Sequence, residues 1–234
     1  MSKSTVTKQR AFSPAVTDIS PVAQPDFLSM PDCVRRSPLL QQGGFAILTE
    51  APALEARQLL REAVRNTSCA ELTQVRVSDQ VESRGGSPAR RFMTTQGSQS
   101  QDGFYHAPQT LQWLRAVSGL SLLPTGGRGT FTYYRPGDYL ALHRDVLECD
   151  LAVITCLADT HPPSDLSGAL CLYPDRWREP LSGIRATPET GAVRLRLPVG
   201  QTIVMLGGIV PHAILPMAEG QLRIVSILCY QVVN

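Results

Sequence analysis

From Gly129 onward the chain is a succession of short apolar segments cut apart by Pro, Gly and Asp: GTFTYY, YLAL, LAVITCLA, GALCLY, AVRLRL, TIVML and LRIVSILCYQVV. Each is rich in Val, Ile, Leu, Thr or Tyr and too short for a stable helix. Such segments at regular spacing are the mark of a sandwich or barrel. Helical patterns come earlier, so the sequence predicts a mostly β (α+β) fold, a jelly roll with N-terminal helices packed on one outer face.

Residues 1–37 carry Ser, Thr, Gln and repeated Pro without a sustained apolar period, which predicts a flexible N-terminal arm before a single domain over 38–234. GFAIL (Gly44 to Leu48) reads as a strand. In TEAPALEARQLLREAVRN, Thr49 can cap, Pro52 suits a first turn, and Leu54, Leu60, Ala63 and Val64 share a helical face. A second helix is expected from Gln109 to Val117. Between them, Ser78 to Gln101 reads as a polar loop with one strand, ARRFMTT, and loops of this length often cover substrates.

Charge narrows the partners. Lys plus Arg number 22 against 20 Asp plus Glu, a net charge of +2, so no nucleic-acid partner is expected. The longest apolar stretch, TIVMLGGIVPHAILPMA, is too broken by Gly, Pro and His to span a bilayer, so no membrane partner is expected either. None of the six Cys forms a C-x-x-C pair, and the N-terminus has no apolar leader segment. Reduced thiols in a cytoplasmic protein are the expectation.

The chain has four His, at 106, 143, 161 and 212. His143 and Asp145 close the strand YLAL as an H-x-D pair, and positions i and i+2 of a strand point to one side. His212 follows the strand TIVML. Two imidazoles and a carboxylate suit the facial triad of non-haem iron oxygenases, and the same donors also fit zinc. Arg223 stands in an otherwise apolar strand, where its charge needs a partner and its planar fork suits a carboxylate.

These segments together resemble a family. YRPGDYLALHRD is similar to the Y-x-P-G…H-x-D segment of the prolyl-4-hydroxylase-like branch of 2-oxoglutarate/Fe(II)-dependent dioxygenases. SGALCLYPD resembles their G-G-x-L segment, with Ser167 where the first Gly is usual. VGQTIVMLGGIVPHAILPMAEGQLRIVSILCY resembles their closing H…R-x-s signature. The likeness spans roughly Gly129 to Tyr230.

The resemblance implies a double-stranded β-helix, Fe(II) held by His143, Asp145 and His212, and 2-oxoglutarate bound through its C5 carboxylate by Arg223. Tyr134 would hydrogen-bond the co-substrate, and Tyr133 beside it would line the substrate pocket. O2 would be consumed, with release of succinate and CO2. Val225 stands where some relatives carry a serine, so Thr155 is the expected hydroxyl beside Arg223. Related halogenases replace the acidic ligand by a small residue, so Asp145 favours oxygen chemistry.

Arg91 and His106 are further substrate candidates, whereas His161, Trp113 and Trp177 read as loop and packing residues. The compact domain with its own long loop favours a small-molecule substrate, such as a free amino acid or natural-product intermediate, over a prolyl side chain. Two other readings stand beside this one: a cupin-like metal protein without 2-oxoglutarate, for which Arg223 has no purpose, and an inert binding module.

Overall fold

The computed structural model describes residues 30–49, 56–77, 84, 86–125, 129–160 and 166–233. Most of the expected N-terminal arm, His161, and the proposed helix-start residues Pro52 and Leu54 lie outside them.

Among the described residues, six helices accompany twelve strands, with short 3-10 turns between. In chain order they are α1 (Asp32–Arg35), α2 (Pro38–Gln41), β1 (Phe45–Leu48), α3 (Ala56–Asn66), β2 (Glu71–Val75), β3 (Arg90–Gln96), α4 (Gln99–His106), α5 (Pro108–Ser118) and β4 (Leu122–Pro124). Then follow β5 (Thr130–Tyr134), β6 (Tyr139–His143), β7 (Leu151–Asp159), β8 (Leu170–Leu172), α6 (Leu181–Ala186), β9 (Val193–Leu195), β10 (Thr202–Met205), β11 (His212–Ile214) and β12 (Arg223–Val232). No helix among the described residues is long and apolar enough to cross a membrane.

Every strand pairing is antiparallel, in the order β1-β10-β7-β12-β5-β3-β6-β11-β8-β9, with β2 added to β3 and β4 to β12. β3 is the corner of the roll. Its residues 93–96 pair with β5, while Arg90 and Arg91 pair with β6. The strip curls until β12 and β7 on one side face β11 and β8 on the other across a common interior, a jelly roll as expected.

Period-two alternation divides the long strands. On β7, Ala152, Ile154 and Cys156 face the interior cavity, whereas Leu157 packs outward with Leu59 and Ala63 of α3, Phe131, Tyr133 and Ile224. β7 is buried on both faces because α3 covers its outer side. That explains why it reads as a continuous apolar run.

The two helices that the sequence predicts correspond to α3 and α5, whereas α1, α2, α4 and α6 carry no such expectation. α5 starts at Pro108 and ends at Gly119, whose φ of 72° suits glycine; a Cβ there would lie 2.6 Å from Pro38 Cδ. On α3 the core-facing residues are Leu59, Glu62 and Ala63, while Val64 is exposed, so the expected face is rotated by about one residue. The last part of the expected arm is ordered too: α1 buries Val34.

α4 begins inside the stretch expected as loop, which ran to Gln101. Its N-terminus is capped by a residue from another helix. The buried Glu62 carboxylate accepts hydrogen bonds from the backbone N–H groups of Ser98 (2.9 Å), Ser100 (2.5 Å) and Gln101 (3.2 Å). Burial alone would raise its pKa, but the three hydrogen bonds to the anion outweigh it and hold it below the ordinary value of 4.5.

A carboxyl with a lowered folded pKa stabilises the fold above its unfolded value, and this contribution is lost as pH falls through the folded value. Glu62→Ala should therefore cost about 3 kcal/mol at neutral pH, because three donors of the α4 first turn lose their acceptor. In thermal unfolding scans the deficit relative to wild type should shrink as pH drops below about 4.

One expectation about cysteine is corrected. Cys149 and Cys229 form a disulfide across 80 positions, with Cα atoms 4.9 Å apart; Cys69, Cys156 and Cys171 are free thiols. The pair arises because the antiparallel β7–β12 ladder brings the start of one strand beside the end of the other. Sequence spacing carries no trace of that.

Candidate metal centre

β6 ends at His143 and β11 begins at His212, and the two residues are direct partners in the β6–β11 ladder. Their ring centroids stand 4.2 Å apart. Past His143 the chain leaves the ladder, and the Asp145 N–H donates to the Gly207 carbonyl at 2.9 Å. Asp145 Oδ1 thereby lies 3.4 Å from His143 Nε2 and 3.5 Å from His212 Nε2. The three donors lie within 4.8 Å of one another.

The ring orientations and the Asp145 anion suit a cation. Each imidazole has Nδ1 at 2.9 Å from a backbone carbonyl, Ala141 for His143 and Val210 for His212. Nδ1–H donation there leaves both Nε2 lone pairs turned toward Asp145. Burial, reinforced by His212, pushes the His143 pKa down and keeps it neutral. Burial works against charging His212 as well, but the Asp145 anion prevails and holds its pKa up. Asp145 would be raised by burial, yet the facing imidazoles, His212 foremost, pull it far below the carboxylate range. Adjacent donors at ~2.1 Å from one octahedral ion are roughly 3 Å apart, so this set needs only a small contraction to close on a metal.

Gly207 makes room for the acid. A Cβ at this position would stand 1.9 Å from Asp145 Oδ2, and its φ is not in the left-handed region. Gly207→Ala should therefore leave the fold intact but displace the carboxylate, weakening Co(II) binding about tenfold or more in an absorbance titration.

His143, Asp145 and His212 open onto a cavity continuous with solvent and walled largely by aliphatic side chains, among them Leu140, Ile154, Ile214, Val225 and Ile227. Arg223 and Tyr134, partners in the β12–β5 ladder, line the same cavity. Arg223 is nearly buried. Nε and Nη2 donate to Asp159 Oδ2 at 3.1 and 3.0 Å, and Nη1 to the Gly168 carbonyl at 2.5 Å. Asp159 is shared, since Arg196 grips it through Nε at 2.9 Å and Nη2 at 2.5 Å. Three of the five guanidinium N–H groups of Arg223 are thus engaged by described residues, which leaves two for a ligand. Burial pushes the Tyr134 pKa up, so its hydroxyl stays a neutral donor.

The remaining sequence candidates lie elsewhere. Thr155 pairs with Ser226 on the outward face, and its hydroxyl meets Thr202 at 2.8 Å, so it cannot assist Arg223. Ser226 is likewise turned away, accepting from Gln101. Tyr133 points outward and donates to the Ala63 carbonyl of α3 at 2.6 Å, because its neighbour Tyr134 takes the inward position. Arg91 is held by Asp138 at 2.9 Å and the Pro136 carbonyl, away from the cavity wall. His106 sits exposed on the last turn of α4 against Asp102. Trp113 packs against the main core, as expected.

Several residues of the centre carry no motif. Arg144, buried between the two ligands of the H-x-D pair, donates to the carbonyls of Ile209, Trp177 and Glu179. It ties the His143 segment to the loop that delivers His212. Asp159 and Arg196 were detectable only as charges at the end of, or alternating within, apolar strands.

No protein-family model matches the chain, and no curated protein matches it by sequence. In three dimensions it is similar to a prolyl-4-hydroxylase from Pseudomonas putida, at 19% identity, covering 84% of this chain and 96% of that one with a TM-score of 0.53. It is also similar to the non-haem α-ketoglutarate-dependent epimerase SnoN from nogalamycin biosynthesis, at 15% identity, covering 85% and 79%, TM-score 0.55. A third likeness is to HygX from Streptomyces hygroscopicus with nickel, 2-oxoglutarate and hygromycin B bound, at 10% identity, covering 82% and 84%, TM-score 0.57. At these identities the likenesses establish the fold, the double-stranded β-helix.

Proposed function

We propose that this chain is an Fe(II)- and 2-oxoglutarate-dependent oxygenase that oxidises a C–H bond of a small molecule. One observation carries the reading. Two imidazole Nε2 atoms and one carboxylate converge at one place in a largely apolar cavity, whose wall also presents an arginine with donors to spare. A cupin-like metal protein or an inert module has no need of that arginine.

Fe(II), when bound, supplies the chemistry that couples O2 reduction to decarboxylation of 2-oxoglutarate and oxidation of substrate. The chain supplies position and exclusion of water. His143, Asp145 and His212 would hold the ion. Arg223, held in orientation by Asp159 and Gly168, pairs its remaining N–H groups with the distal carboxylate of the keto-diacid. Tyr134, its cross-strand neighbour, offers a neutral hydroxyl to the same group. The aliphatic wall keeps the ion pair dry, where charge-assisted hydrogen bonds are stronger.

The small-molecule assignment draws on the bound hygromycin B in HygX. The prolyl-4-hydroxylase likeness makes prolyl peptides the natural comparison. The test has two stages. Anaerobic addition of 2-oxoglutarate to the Fe(II)-loaded protein should give a weak visible charge-transfer band; its absence sinks the oxygenase reading. Succinate release should then be stimulated by members of a free amino acid and natural-product panel. Stimulation by proline-containing peptides alone would reassign the substrate to a protein side chain.

A further inference from the structure

We propose that Arg84 is a positioning residue for Asp145, acting through the loop that carries this ligand; the proposal rests on reading His143, Asp145 and His212 as a metal centre. Residues 144–150 belong to no strand or helix. A ligand on such a segment is held only as well as its loop is, because no ladder of backbone hydrogen bonds defines its geometry.

One guanidinium supplies what the ladder does not. Arg84 lies 61 positions upstream of Asp145. Its Nε donates to the Asp145 carbonyl at 3.2 Å. Nη2 donates to the carbonyls of Val146 at 2.5 Å and Leu147 at 3.1 Å, and Nη1 pairs with Asp150 Oδ1 at 2.6 Å. Four acceptors from residues 145–150 thus converge on a single planar fork. Only arginine has enough donors in a fixed geometry to meet them together.

The opposite face of the fork rests on the backbone of Gly208, where an added Cβ would fall 2.5 Å from Arg84 Cζ. The Gly207–Gly208 pair therefore admits two groups side by side, the Asp145 carboxylate at the first glycine and the Arg84 guanidinium at the second. The far end of the loop is anchored separately. Cys149 is bonded to Cys229, and the Asp150 carboxylate accepts from Val232 N–H at 2.8 Å. Arg84 thus secures the stretch between the ligand and that anchor. The side chains of Arg84 and Asp150 are both about one-fifth exposed, so the effect is chiefly geometric rather than Coulombic.

The test compares the full wild-type chain with Arg84→Ala, Arg84→Lys and Gly208→Ala, using Co(II) alone as probe and amide hydrogen exchange of the metal-free protein. Wild type should bind Co(II) and protect residues 145–149. Arg84→Ala should bind it ~10–100-fold more weakly, the loss typical when support behind a metal ligand is removed. The same loop should exchange faster, while the β-strands exchange as before.

Arg84→Lys should fall between the two, since one ammonium cannot span four acceptors. Gly208→Ala keeps the arginine but pushes its fork away, so it should reproduce the loss even if Arg84→Ala folds poorly. Unchanged Co(II) affinity and loop exchange in these variants overturn the positioning role alone. No Co(II) binding by the wild-type chain overturns the metal reading, and this proposal with it.

Discussion

Asp145→Ala should lower 2-oxoglutarate-dependent succinate release by on the order of 10³-fold, equivalent to about 4 kcal/mol of barrier. Asp145 is the single anion of the three converging donors, and its carboxyl stays ionised far below neutral pH. Alanine leaves two neutral imidazoles, which hold a divalent cation weakly, and it opens the ligated side to water. The loss should appear first as failed Co(II) binding and then in succinate measured by proton NMR. His143→Ala should behave likewise in activity. A fully active Asp145→Ala enzyme would remove the iron assignment.

Arg223→Ala should raise the KM for 2-oxoglutarate on the order of 10²-fold while leaving Co(II) affinity within a few-fold of wild type. Truncating one partner of a buried charge pair costs about 2–5 kcal/mol, and the distal carboxylate of the co-substrate would lose its counter-charge in an aliphatic cavity. Asp159 keeps its bidentate partner Arg196 in this variant, so the strand end retains a paired acid. Arg223→Lys should recover part of the affinity only, because an ammonium cannot present two parallel N–H groups. Measuring the metal and co-substrate constants separately distinguishes the roles. An unchanged 2-oxoglutarate KM would sink the assignment of Arg223, even with the metal centre intact.

The contrast between Tyr134 and Tyr133, or between Val225 and Ser226, shows where sequence reasoning stops. Alternation says that adjacent strand residues face opposite ways; it does not say which faces in. The β12–β5 register pairs Arg223 with Tyr134 and thereby sends Tyr133 to α3. The β12–β7 register pairs Ser226 with Thr155 and sends both hydroxyls outward. In place of the expected Thr155, the hydroxyl-bearing residue beside Arg223 is Tyr134, from a neighbouring strand. α4 was hidden for a different reason: the carboxylate that caps it, Glu62, lies on another helix.

What the sequence determined by itself was local and periodic. Short β-branched and aromatic runs dictated the strands. The H-x-D spacing marked His143 and Asp145 as a pair and a lone charge in an apolar strand marked Arg223, although Asp145 reaches the imidazoles from the loop beyond β6 rather than from the strand. Tertiary structure decided which distant residues became neighbours: His212 against His143, Asp159 between Arg196 and Arg223, Cys149 against Cys229, and Arg84 over the Asp145 loop. Side-chain periodicity depends on a few bonded neighbours, whereas register and curl follow from the burial of the whole rolled sheet. No short segment contains that information.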